Sequence, residues 1–479
     1  MDAHPRRWTA LIVLSLTLVA VTLDNSVLNT ALPSLARALR ASTSDLQWIT
    51  DAYTLLFASA LILAGGLGAR LGSRRALIGG LAVFGGGSAL AGLSNSPAQL
   101  IGWRAIMGLG AAFVMPATLA IITRMFPPAE RPKAFGIWSA AAGVGVLVGP
   151  VTGGALLDHF TWRSAFWINV PLVVAALVAI TLIVPSAPIQ RIGRLDVLGA
   201  IVSTAAVATL VDAIIEAPER GWLARTTLVE LGATALLGIG FVLWELRRDE
   251  PMVQVRLFKN HRFVLAALAL AVTFFALFGT LFELSQYLQL VHGYTPLVAG
   301  LGAMPFAVAM ATTSGTSSLV SKRLGIRGTL TVGLLLVGGG LALLSRSSAD
   351  SAFAYVAAAT AVVGAGMGMM MAPASLEITG SVPQPYASMA GALNSVVREL
   401  GGVLGIAVIG TIVSAAYKAT PGAGRDISAA PVAFTDAMDR GVMVAAAVAF
   451  AAAILMFVGL RRAPRAVPVP EPVREPAMV

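Results

Sequence analysis

Polar side chains crowd the end of an otherwise apolar run. Asp24, Asn25, Ser26, Asn29 and Thr30 stand within LDNSVLNTALPSL, near the end of a hydrophobic stretch from Trp8 to Leu32. An ionised carboxylate at the centre of a bilayer costs roughly 2.5 to 3.5 kcal/mol on insertion scales, so an acid here needs a partner, a water-filled cavity or the interface. At ~1.5 Å per residue Asp24 lies about 24 Å along a helix from Trp8, in the outer part of a membrane entered from the inside. Asn25 with Asn29, and Ser26 with Thr30, recur at i, i+4 and share faces. The role this position suggests is a polar lining for an outward cavity at the end of the helix. The competing role is an interfacial acid that orders the helix end.

Other charged groups raise the same question. Asp51 comes early in the next apolar run, where a functional role and a favourable charge near a helix N-terminus are equally open. Glu283 in LFELSQYLQLV has Gln286 and Tyr287 at i+3 and i+4. The carboxylate could take a proton or cation while the amide and phenol hydrogen-bond a substrate, or the three could form a polar helix end. Arg104 keeps its charge at any working pH, so its chemistry is to hold a carboxylate, in a functional or purely structural ion pair. Arg398 and Glu399 are adjacent and project about 100° apart, too far round the helix to neutralise each other face to face. Partners on other helices, or a substrate, would relieve their burial.

The elements that position these groups are membrane helices. The chain has 479 residues, 57% hydrophobic and 12% charged, with a mean hydropathy of +0.83. Apolar runs of bilayer-crossing length recur about fourteen times, judged by the ~20-residue requirement. The expected fold is an all-α integral membrane protein. Cysteine is absent, and no HExxH or GxxxxGK[ST] occurs, so disulfides, thiolate chemistry and the common zinc and nucleotide motifs have no sequence support. No cofactor or metal is expected.

The net charge of +10 sits in short loops such as RLGSRR and LRRDE, which fits topology better than nucleic-acid binding. Lys and Arg fall mainly on the side that carries both termini if those are cytoplasmic. The proline-rich segment 463–479 reads as a disordered tail.

Two echoes mark an internal repeat. GARLGSRRAL at Gly68–Leu77 returns as SKRLGIRGTL at Ser321–Leu330, with Arg70, Leu71, Gly72 and Arg74 matching Arg323, Leu324, Gly325 and Arg327. MPATLAIIT returns as APASLEITG, placing Pro116 against Pro373. Parallel repeats with a substrate site between them are a plan of secondary transporters. The expected organisation is a six-helix half over 1–190, two inserted helices over 191–260, a second six-helix half over 261–462 and the tail. A receptor or scaffold without transport activity is the rival of a different class.

Here the sequence resembles the major facilitator superfamily (MFS), in particular its fourteen-span drug:proton antiporters. LDNSVLNTALP and WITDAYTLLFAS resemble that group's first- and second-helix signatures, GGLGARLGSRR its cytoplasmic loop motif, IGWRAIMGLGAA its fourth-helix arginine motif and GVGVLVGPVTGG its antiporter motif. TWRSAFWINVP and YLQLVHGYTPLVAGL also read like the group. One position departs: Ala69 stands where the loop motif usually has an acid, and the repeat has Lys322 there.

The resemblance implies drug export in exchange for protons across a bacterial cytoplasmic membrane. Small amphipathic molecules, protons and lipid are the expected partners of a monomer, and no nucleic acid is expected. A dedicated exporter of one antibiotic or metabolite is the nearer rival. Asp24, Asp51, Arg104 and Glu283 are then the proton-coupling candidates. Asn25, Asn29, Glu283, Gln286, Tyr287, Arg398 and Glu399 are the candidates for substrate contact. Gly72 and Arg74 of the loop, with Gly145, Gly149, Pro150 and Gly153, are the candidates for a conformational switch. The small-residue spacing lets helices approach closely, and proline bends a helix. MGMMMAP, Met367–Pro373, offers adaptable side chains but reads first as core packing.

Overall fold

A computed structural model of the chain describes residues 5–127, 130–185, 196–248, 251, 253, 255–380, 387–419 and 430–462. The proline-rich tail and the expected boundary near residue 190 lie outside them. The helices are α1 (Arg7–Leu39), α2 (Thr43–Leu71), α3 (Ser73–Ala91), α4 (Pro97–Met125), α5 (Arg131–His159), α6 (Ser164–Trp167), α7 (Asn169–Ile183), α8 (Val197–Arg220), α9 (Arg225–Arg247), α10 (His261–Gln286), α11 (Pro296–Leu301), α12 (Met304–Leu344), α13 (Phe353–Gly380), α14 (Ala387–Ala419) and α15 (Ala430–Arg462). Among the described residues, ten segments are long and apolar enough to cross a bilayer. In lipid the helix satisfies every backbone polar group internally, which is why runs of this composition adopt it.

Residues of α1–α7 form one buried core and those of α10–α15 form another, with Phe282 and Ile406 joining the first from the second. The two apolar stretches that flank the SKRLGIRGTL loop segment belong to one helical element, α12, with a backbone break at Gly325. Gly325 has φ 67° and its repeat counterpart Gly72 has φ 89°. Only glycine takes this backbone region without steric cost, so the echoed loops share a turn chemistry as well as letters.

Contacts between the two groups of helices lie toward the face where α1 ends. The Gln47 amide of α2 donates to the Ile406 and Ala407 carbonyls of α14 at 3.0 and 3.1 Å. Gln289, in the π-helical turn after α10, donates to the Thr30 carbonyl at 2.9 Å. Gly154 of α5 meets the Leu297 backbone, and Gly300 meets the Pro150 carbonyl. A small cavity of about 50 Å³ remains in this seam, lined by Ser26, Asn29, Thr30, Pro150, Ser285 and Ala303 among others.

Candidate functional site

The site begins with a buried ion pair. α4 starts at Pro97, and the Ser96 side chain caps it by accepting from the Gln99 amide. Two turns later Arg104 is 0% exposed and Asp24 is 2% exposed. Arg104 Nη1 donates to Asp24 Oδ2 at 2.5 Å, Nη2 to Asn25 Oδ1 at 3.0 Å and Nε to the Ile49 carbonyl at 3.0 Å. The guanidinium also lies 4.3 Å from the centre of the Tyr53 ring. One side chain thus ties together α1, α2 and α4. Gly108 permits this, because a Cβ there would strike the Tyr53 backbone.

Asp24 is held from the other side by Asn169, at the start of α7. Its Nδ2 donates to Asp24 Oδ1 at 2.6 Å and reaches Ser88 Oγ at 3.1 Å. Ser88 Oγ donates in turn to the Phe166 carbonyl at 2.8 Å. The expectation of an outward cavity at Asp24 is therefore replaced by a sealed polar network inside the α1–α7 core. The physical reason is that Arg104 and Asn169 supply the partners that water would otherwise provide. Only the later residues Ser26, Asn29 and Thr30 reach the cavity between the helix groups.

Two other carboxyl groups are buried without partners. Asp51 is 0% and Glu283 1% exposed, and none of their carboxylate oxygens has a hydrogen-bond partner. Asp51 lies one turn beyond Gln47, on the face of α2 that meets α14. Glu283 lies one turn beyond Gly279, which packs against Gly405 and Ile409 of α14. Ionised carboxylates are costly in such surroundings, so these are groups whose charge a bound proton or cation would cancel.

Arg398 and Glu399 make no ion pair with each other. The Arg398 guanidinium lies 4.5 Å from the centre of the Phe274 ring, and its buried Nε has no partner. Gln286 donates back to the Phe282 carbonyl at 3.1 Å. Tyr287 turns to the loop before α13, donating to the Ser348 carbonyl at 2.7 Å and pairing with His292 Nε2 at 3.0 Å. The structure therefore groups Asp24, Asn25 and Arg104 and leaves Tyr287 in a separate cluster after the end of α10.

The switch candidates divide as well. Gly145, Gly149 and Gly153 lie against Thr22, Ser26 and Val27 of α1, within the first helix group, while Pro150 and Gly154 meet the second. Arg74 donates to the Thr181 carbonyl of α7 at 2.6 Å, beside the positive-φ turn at Gly72. Met367 and Met370 are buried core residues. Asn169, Tyr53 and Gln47 were not singled out in the sequence, although each stands in or beside a quoted motif. A lone amide between SAFW and an apolar run was the available signal for Asn169.

These features have known counterparts. A sequence profile of the Major Facilitator Superfamily matches residues 14–406. The chain is 35% identical over 410 residues to the Tetracenomycin C resistance and export protein of Streptomyces glaucescens, covering 85% of this chain and 76% of that one. It is 34% identical over 414 residues to the multidrug efflux pump LfrA of Mycolicibacterium smegmatis, covering 86% and 82%. A bacterial homolog of the human lysosomal transporter Spinster, in an inward-facing and occupied conformation, shares the fold at a TM-score of 0.70 and 18% identity, over 96% of this chain and 98% of that one. The chain belongs to the Major Facilitator Superfamily and is a multi-pass membrane transporter rather than an enzyme.

Proposed function

We propose that this transporter exports amphipathic or cationic drugs across a bacterial cytoplasmic membrane in exchange for protons. The observation that carries the reading is the pair of buried, partnerless carboxyl groups, Asp51 and Glu283, on faces turned toward α14, beside the sealed Asp24–Arg104 pair. The names of the relatives, a tetracenomycin C exporter and a multidrug pump, support the substrate class. Fourteen crossings follow if α2, α3 and α5 are added to the ten segments and Pro296–Leu344 is counted as two at its Gly325 break. The Lys and Arg bias supports cytoplasmic termini. With that orientation the seam is closed on the outside.

The cycle is alternating access between α1–α7 and α10–α15. From inside, a substrate reaches Asp51, Glu283 and Glu399 and competes with their protons. Binding displaces a proton inward, the outer seam opens, and protonation from outside releases the substrate. One charge crossing 100 mV is worth about 2.3 kcal/mol, and about 1.4 kcal/mol is tenfold, so each proton could sustain roughly a fifty-fold gradient. A substrate that carries one positive charge outward cancels the electrical part of a one-for-one exchange, which then runs on the pH difference.

The test is ethidium accumulation in bacterial cells making the wild-type chain or Asp51→Asn. Lower accumulation with the wild type, abolished by an uncoupler and by the substitution, supports the reading. Equal accumulation with and without the protein, under confirmed membrane insertion, contradicts it. The tetracenomycin C relative favours a second reading, a dedicated antibiotic exporter, which predicts protection against one compound only.

A further inference from the structure

The two large buried cores leave out α8 and α9. Yet α8 is fastened to both helix groups. Leu55 of α2, Val211 and Ile215 of α8, and Val403 and Ala407 of α14 form one buried cluster, with Trp48 and Leu56 of α2 packed against it. Ser44, at the start of α2, donates to the Glu216 carboxylate. From the other group, Thr411 Oγ1 of α14 donates to the Ile214 carbonyl at 3.0 Å.

The acceptor in that last bond has lost its ordinary donor. Pro218 stands inside α8, four residues after Ile214. In a regular helix the N–H at position 218 would bond the Ile214 carbonyl, but proline has none and its ring crowds that oxygen. In a bilayer no water replaces the missing donor, so an unpaired carbonyl is costly. Thr411, 4% exposed, supplies the hydrogen bond from across the join. Its hydroxyl is used differently from those of Thr50, Thr204, Thr273 and Thr360, which donate to carbonyls of their own helices. The bond also lies where the helix groups must part: one turn before Thr411, Ala407 accepts from Gln47 of α2, and Asp51 follows Gln47 by one turn.

We propose that Thr411 and Pro218 form a latch: α8 rides on α2, its proline leaves a carbonyl that α14 satisfies, and the bond biases the transporter toward the state closed at the face where α1 ends. Opening that face parts α14 from α8 and strands the Ile214 carbonyl, so the latch disfavours the open state selectively. Thr411 is a positioning residue, acting through α8 rather than on a proton or substrate. The inference rests on the alternating-access reading and adds to it what holds the α2–α14 seam shut.

The chain contains no cysteine, so two introduced ones can carry spin labels without other changes. Ala41→Cys, just before α2, and Ala419→Cys, at the end of α14, report the separation of the two groups at this face by pulsed electron paramagnetic resonance on the full chain in liposomes. The proposal predicts a mainly short distance in this parent chain and a several-fold higher ratio of long to short distances in Thr411→Val. Thr411→Ser, which keeps the hydroxyl, retains the parent distribution. Pro218→Ala gives the Ile214 carbonyl an N–H in both states, so it also releases the latch, and adding Thr411→Val to it changes nothing more. Unchanged distances in Thr411→Val would overturn the proposal, and so would effects of the two substitutions that simply add. A parent chain with one fixed distance, with or without ethidium and across the pH range, would instead remove alternating access itself, a failure visible before either latch variant is made.

Discussion

Asp24 and Arg104 hold each other at 2.5 Å, and the arginine donates in the same arrangement to Asn25 and to the backbone of Ile49. Three helices are thus registered by one guanidinium. Removing one partner of a buried pair generally costs about 3–5 kcal/mol, because the other charge is left uncompensated. Arg104→Ala is predicted to lower thermal stability in detergent by that order. Arg104→Lys keeps the charge but lacks the planar fork, and is predicted to retain more stability while losing most transport. Wild-type flux in the lysine variant would contradict this account of Arg104.

Asn169 is predicted to act through Asp24. Asn169→Leu removes the donor to Asp24 Oδ1 and the contact with Ser88. Loss of one partner from a buried hydrogen bond costs about 1–3 kcal/mol. The expected result is a folded protein with a lower melting temperature and weakened substrate-driven proton movement, whereas an unchanged pH profile of transport would make Asn169 a packing residue only.

The α5–α11 seam depends on the absence of a side chain at Gly300, where a Cβ would strike the Pro150 carbonyl. Overpacking typically costs about 1–3 kcal/mol. Gly300→Leu is predicted to hold the seam apart at the face where α1 ends. A cysteine placed at Thr152 should then react faster with a membrane-impermeant maleimide added on that face. Equal labelling in both backgrounds would show that the seam absorbs the leucine by repacking.

The Tyr287–His292 cluster carries a pH dependence. Tyr287 donates its proton to the Ser348 carbonyl, so His292 Nε2 is the donor in the 3.0 Å contact with the Tyr287 oxygen. Partial burial lowers the His292 pKa from the ordinary 6.5, and the nearby Asp350 opposes this weakly. A histidine with a depressed pKa contributes stability above its ordinary value and loses it as pH falls through the depressed one. Hydrogen-exchange protection of residues 287–295, corrected for intrinsic rates, is predicted to fade below about pH 6.5. His292→Gln should flatten that profile; a profile as steep as the wild type would assign the change to another group.

Much of the fold was legible because bilayer thickness fixes how long an apolar run must be. The echoed loops share a backbone feature as well: Gly72 and Gly325 both take positive φ. Arg104 could be expected to hold a carboxylate, since a membrane arginine has few other options. Its particular partners were not readable, because Asp24 and Asn169 are brought together by the packing of α1, α3, α4 and α7 rather than by any local spacing. The same holds for Arg398 over Phe274 and for α8 across α2 and α14, which depend on which helix faces meet. Periodicity gives a face; it does not name the neighbour.

The most direct test of proton-coupled export uses purified protein in liposomes with an imposed pH gradient and a trapped pH-sensitive dye, to which ethidium is added. The account predicts substrate-dependent proton movement in the wild type, its loss in Asp51→Asn and Glu283→Gln, and unchanged folding in both. Ethidium transport without proton movement, or proton movement that survives both substitutions, would contradict the coupling assigned to these carboxyl groups.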